Sequence, residues 1–210
     1  MPLLCSPAPS LAPALIGWEL EAHGVRGRIT ETEAYQGEDD LACHASKGRT
    51  PRSETLYAEA GTLYVYLCYG MHALLNIVCD QKDVPAAVLI RSLEIIDGLD
   101  LVIARRKARP NSDPRLLANG PAKLTQALAI TTAHNRMVLD RGDEATHGVA
   151  LRGVTHNHLH RDADRCPLRL LPPTRPPGML RAGPRVGVAY AGPVWAAKPW
   201  RWWEDGFPVA

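Results

Sequence analysis

A chain of 210 residues with 46% hydrophobic content can bury one substantial core, and its length favours a single domain over two. The formal charge of +2 does not by itself call for a polyanionic partner, and five scattered cysteines without a Cys-x-x-Cys pair exclude a disulfide framework or a zinc ribbon. The first ten residues hold no basic stretch and are broken by prolines, so no secretion signal or membrane span is expected, and an intracellular protein with reduced thiols is.

In chain order, the proline-rich start, 1–14, reads as flexible. Leu15 to Glu21 and Val25 to Glu33 read as two strands joined at Ala22-His23-Gly24. The second leads into Ile-Thr-Glu-Thr-Glu-Ala-Tyr, residues 29–35, where strand alternation puts Glu31, Glu33 and Tyr35 on one face and Thr32 and Ala34 on the other. A carboxylate in such surroundings costs free energy unless it is paired, hydrogen-bonded or used. Gln36 to Ser53 is a polar loop region. Gly61 to Cys79 holds two β-rich runs about a glycine-containing turn, which predicts a hairpin with Tyr69 near its tip.

Pro85 to Leu93 reads as an apolar strand interrupted by Arg91, and Ile95 to Ala108 has helical apolar spacing. Pro121 can open a second helix over Ala122 to Ala129. Residues 146–184 read as an irregular basic excursion, Arg185 to Ala189 as a short strand, and Trp195 to Trp203 as an aromatic closing element. No internal repeat and no phosphate-binding glycine loop is present.

Three chemistries are open from the residues alone. Glu33 is either a strand carboxylate paired with an arginine such as Arg28 or Arg91, or a general base that aligns a water and takes its proton. Glu38, Asp39, Asp40 and His44 could join Glu33 in an oxygen-rich divalent-metal site, as in a metal-dependent nuclease. His156, His158 and His160, with Cys166 beyond, alternate in a way that zinc accepts. Residues 152–201 carry nine basic against two acidic side chains, which suits a polyanion held on one side. With Tyr69 as a wedge between bases, that charge alone would describe a non-catalytic minor-groove binder.

The ordered segments narrow the choice. Arg-Ile-Thr-Glu-Thr-Glu-Ala-Tyr (28–35), Asp-Leu-Ala-Cys-His-Ala (40–45), Arg-Thr-Pro-Arg (49–52), Gly-Thr-Leu-Tyr-Val-Tyr-Leu-Cys-Tyr-Gly-Met (61–71), Asn76, Val-Leu-Ile-Arg-Ser-Leu-Glu (88–94), Asn-Gly-Pro-Ala-Lys-Leu-Thr-Gln-Ala-Leu-Ala-Ile (119–130) and Arg-Val-Gly-Val (185–188) together resemble the alkyladenine, or 3-methyladenine, DNA glycosylase family. The resemblance runs from about residue 15 to about residue 202. It implies one mixed α/β (α+β) domain around a curved antiparallel sheet, with a β-hairpin that enters DNA.

It also implies a monofunctional glycosylase, which flips alkylated or deaminated purines from duplex DNA and hydrolyses the N-glycosidic bond. Carried over, Glu33 is the general base and Arg91 positions the backbone and the water. Tyr35, His44 and Tyr66 surround the base, Asn76 crowds the amino group of normal guanine, Val188 lines the pocket, and Tyr69 fills the gap left in the duplex. The implied protein is a monomer acting with the genome, on DNA holding damaged purines, without cofactor or metal. The sequence departs from the family at Ala189, where glycine is frequent, and at His72, where tyrosine is. Residues 146–184 match it poorly.

Overall fold

The structure, a computed structural model, describes residues 2–140 and 166–210. It is organised around one long strand, β2 (Val25–Gln36), whose residues are buried from Gly27 to Ala34. Burial on both faces means that each polar side chain in this strand must find a partner within the protein.

β2 follows β1 (Glu19–Ala22) through a tight His23-Gly24 turn. The remaining strands are β3 (Leu63–Cys68), β4 (His72–Val78), β5 (Ala86–Asp97), β6 (Arg169–Leu171), β7 (Leu180–Gly183) and β8 (Arg201–Glu204). Among the described residues they form one antiparallel sheet in the order β3-β4-β5-β2-β1-β6, with β8 joined to β2 and β7 to β8. β5 runs along one edge of β2 from Arg26 to Gln36. The opposite edge is divided: β1 covers Val25 to Arg28, and β8 covers Glu31 to Glu33. Glu33 therefore sits between Leu89 and Arg201, with ladders on both sides. The expected mixed α/β single domain with an antiparallel sheet is what is found.

Among the described residues there are four helices, α1 (Ala8–Ala14), α2 (Leu99–Arg106), α3 (Pro121–Ala127) and α4 (Gly192–Ala197), of which the first three pack against the sheet. The start of the chain, read as flexible, is instead part of the core. Leu4, on a short 3-10 turn at Pro2–Cys5, is wholly buried, and so are Ala8, Leu11 and Leu15, whose three-and-four spacing lines one face of α1 and outweighs the prolines between them. Two side chains of β2 hold α1 in place. The Ala8 N–H donates to the Gln36 amide oxygen at 2.6 Å, and the Thr32 hydroxyl donates to the Ala12 carbonyl at 2.8 Å.

Other boundaries also differ. The first strand begins at Glu19, because Leu15 closes α1 and Gly17 turns the chain at a φ of 92°. The helix read over Ile95 to Ala108 starts only at Leu99, since Ile95 to Asp97 prolong β5. Gly98 makes the corner at a φ of 79°, where a Cβ would lie 2.3 Å from the Gly24 carbonyl oxygen. In the segment read as irregular, β6 and β7 join the sheet, and Leu168 and Leu170 enter the core. The candidate zinc histidines 156, 158 and 160 lie outside the described residues. No helix among the described residues is long and apolar enough to cross a membrane.

Candidate active site

Glu33 is completely buried, and both of its oxygens are occupied. One accepts the Val186 backbone N–H at 2.7 Å and lies 3.3 Å from the Arg91 guanidinium; the other accepts the Tyr35 hydroxyl at 2.9 Å. Burial pushes its carboxyl above the ordinary carboxylate range, an effect partly offset by Arg91, the Val186 N–H and the Tyr35 hydroxyl. That balance suits a proton acceptor: the carboxylate is held as an anion by donors, yet is hungrier for a proton than a solvated glutamate.

Glu31, equivalent to Glu33 by alternation, has a different task. It accepts from Arg91 at 2.8 Å, from Arg201 at 3.3 Å and from the Ala210 N–H at 3.0 Å, so both of its oxygens fix cationic and backbone neighbours. The ladder with β5 is irregular on either side of Glu31, and this lets both glutamates reach one arginine. Arg91 also donates to the Ala210 carbonyl at 3.1 Å. Arg28, the other arginine considered for Glu33, is turned away and pairs with Glu204.

The cleft above Glu33 has a volume of about 600 Å³ and is lined by Tyr35, His44, Arg52, Tyr66, Tyr69, Leu74, Arg91, Val188 and Tyr190 among others. A narrower recess of about 40 Å³ shares Tyr35, His44, Tyr66 and Tyr190 with it and adds Asn76 and Tyr64. Each site residue read from the sequence is thus brought to one place. Asn76 is held by its amide, which donates to the Tyr64 carbonyl at 3.0 Å.

His44 packs edge-on to Tyr66, ring centroids 4.6 Å apart. Its Nδ1 lies 2.7 Å from the Tyr64 hydroxyl, and its Nε2 lies 3.3 Å from Arg52 Nη2. Arginine can only donate, so Nε2 accepts and the ring proton belongs to Nδ1, which donates to Tyr64. Burial first, then the Arg52 cation, lowers the His44 pKa to about 4, which leaves the imidazole neutral near pH 7. Tyr64 was missed in the sequence although the signal existed: it shares a strand face with Tyr66, two positions along.

Tyr69 stands at the tip between β3 and β4 with 89% of its surface exposed. Its φ of 51° lies in the left-handed region, which costs a non-glycine residue roughly 1–2 kcal/mol. The chain accepts both strain and an exposed aromatic ring here, beside exposed Met71. The left-handed pair Tyr69-Gly70 closes the turn, with the Met71 N–H donating to the Cys68 carbonyl at 3.1 Å, whereas the exposed ring has no part in closing it.

Two readings are corrected. Arg185 to Ala189 forms no strand: Arg185 turns inward to a buried ion pair with Asp40, Gly187 turns at a φ of 74°, and the Val186 N–H is spent on Glu33 rather than on a ladder. The acidic loop assembles no metal site. Asp40 is taken by Arg185, Glu38 accepts the Tyr57 hydroxyl at 2.6 Å, and Asp39 faces solvent. Among the described residues no three His, Cys, Asp or Glu side chains gather to hold a metal ion.

Comparison with known proteins shows the family. The description of the methylpurine-DNA glycosylase (MPG) family matches residues 3–208. A protein of Myxococcus xanthus (strain DK1622), provisionally named a 3-methyladenine DNA glycosylase, is 43% identical over 177 residues, 84% of this chain and 72% of its own. A similarly named protein of Frankia casuarinae is 39% identical over 204 residues, 95% of this chain and 85% of its own. The DNA-3-methyladenine glycosylase of Arabidopsis thaliana is 37% identical over 193 residues, 91% of this chain and 65% of its own. With nearly its whole length matched, the chain belongs to the methylpurine-DNA glycosylase family and is a DNA glycosylase.

Proposed function

We propose that the cleft receives a damaged purine turned out of duplex DNA and that Glu33 directs water onto its N-glycosidic bond. The observation that carries this reading is the meeting of one buried carboxylate with the aromatic walls Tyr35, His44 and Tyr66 in a single cleft. Glu33 removes a proton from water as the oxygen attacks C1′ of the deoxyribose. The C1′–N bond breaks with its electrons going to the purine, and an abasic site remains.

Arg91, anchored by Glu31, keeps Glu33 ionised and faces the same cleft. A closed duplex hides C1′, so the nucleotide must be extruded at a cost of a few kcal/mol. Tyr69 fills the vacated stack, and the aromatic walls hold the base. Alkylation at N3 or N7 makes a purine cationic, which improves it as a leaving group and strengthens stacking on electron-rich rings. Deaminated bases such as hypoxanthine fit the same walls. Asn76 and Val188 shape the pocket against normal guanine. The protein works as a monomer wherever the genome is kept, without a cofactor, and the cleft lining includes no lysine for Schiff-base chemistry.

The test is to incubate a duplex containing one hypoxanthine or one ethenoadenine with the protein in EDTA and assay for free base. Release in EDTA is expected. No release from any lesion, 3-methyladenine in alkylated DNA included, would defeat the reading.

A further inference from the structure

Resting on the glycosylase reading, we propose that Arg52 sorts lesions by charge, favouring purines that depart as anions, such as hypoxanthine, over purines that are already cations, such as 3-methyladenine. Three charged side chains line the cleft among the described residues: Glu33, Arg91 and Arg52. The first two belong to a network in which Arg91 bridges Glu33 at 3.3 Å and Glu31 at 2.8 Å and Glu31 also pairs with Arg201 at 3.3 Å, two carboxylates against two guanidiniums. Arg52 has no carboxylate partner among the described residues. Its contacts are to the wall itself: Nη2 lies 3.3 Å from His44 Nε2, and Cζ lies 5.8 Å from the centre of the Tyr66 ring. The side chain is exposed, and it also lines a groove with Lys47 and Thr50 beside the cleft. His44 is neutral near pH 7, so the positive charge at this wall is that of Arg52.

An uncompensated cation acts oppositely on the two kinds of lesion. A neutral purine gains negative charge as the C1′–N bond breaks, and a guanidinium nearby lowers that barrier. A cationic purine enters with its positive charge, so the same guanidinium weakens its binding and still opposes it while part of the charge remains. The positive charge that develops on the sugar is common to both reactions and cancels in their ratio. Coulomb's law at an intermediate dielectric puts the effect on that ratio at about five- to tenfold, and less as salt is added.

A bland alternative is that Arg52 simply holds a backbone phosphate, which would weaken every substrate alike. The experiment measures kcat/KM for hypoxanthine in a duplex and for 3-methyladenine in alkylated DNA, using wild type, Arg52→Gln and Arg52→Lys. The hypoxanthine-to-3-methyladenine ratio is expected to fall about five- to tenfold in the Gln variant and to stay within about twofold of wild type in the Lys variant. Equal loss on both substrates, or an unchanged ratio, overturns the proposal. If wild type releases neither base, the glycosylase reading falls; if it releases both and the Gln variant keeps the ratio, only the sorting role does.

Discussion

Arg185 donates to both carboxylate oxygens of Asp40, at 2.6 and 2.8 Å, with both side chains sealed from solvent. The same guanidinium donates to the Ala34 carbonyl at 2.9 Å and lies over the rings of Tyr35, at 4.8 Å, and Trp200, at 5.1 Å. One guanidinium thus fastens the loop that carries Val186 both to the strand that carries Glu33, through Ala34, and to the loop that follows it, through Asp40. Asp40→Ala leaves a buried cation without its partner and should cost about 3–5 kcal/mol. Urea unfolding measures this directly, and a loss below about 1 kcal/mol would show the pair to be dispensable.

Replacing Glu33 by Gln keeps the shape of the site and removes the proton acceptor. Lesion binding should remain within a few-fold of wild type, while single-turnover excision should fall by about 10²–10⁴-fold. Parallel loss of binding and excision would make Glu33 a structural carboxylate.

The pH dependence follows from the same carboxyl group. Its pKa is raised by burial, and the reaction needs it ionised, so the rate is full above that raised pKa and declines as pH falls through it. Tyr35→Phe keeps the ring but removes a hydrogen bond that favours the anion. The acidic limb of the single-turnover pH profile should then move to higher pH. A limb that stays in place would show that Tyr35 does not act on Glu33.

Tyr69→Ser leaves Glu33 and the aromatic walls Tyr35, His44 and Tyr66 in place and removes the exposed ring. Affinity for a lesion-containing duplex should drop about tenfold, the scale of one aromatic–base stack. Unchanged affinity would count against insertion of this side chain.

Much of the site was legible because it lies on strands. Alternation placed Glu33 with Tyr35, and the glycine-containing turn placed Tyr69 at a tip; the structure agrees with both placements. What escaped was long-range pairing. Nothing local announces that Arg185 will bury itself against Asp40, 145 residues away, and its Arg-Val-Gly-Val setting imitates a strand. Alternation also could not separate Glu31 from Glu33, because their difference arises from neighbours on β5, β8 and the closing residues. In α1 the prolines concealed a helical spacing that the core makes use of.

β2 is laddered along both edges, whereas β3 is an outer strand whose far end projects with Tyr69 and Met71 into solvent. Local opening is cheapest where backbone hydrogen bonds face water and few apolar contacts back them. In the proposed reaction this divides one sheet into a compliant feeler and an unyielding anvil. The hairpin can bend over many undamaged base pairs, and Glu33 keeps its aim through every encounter.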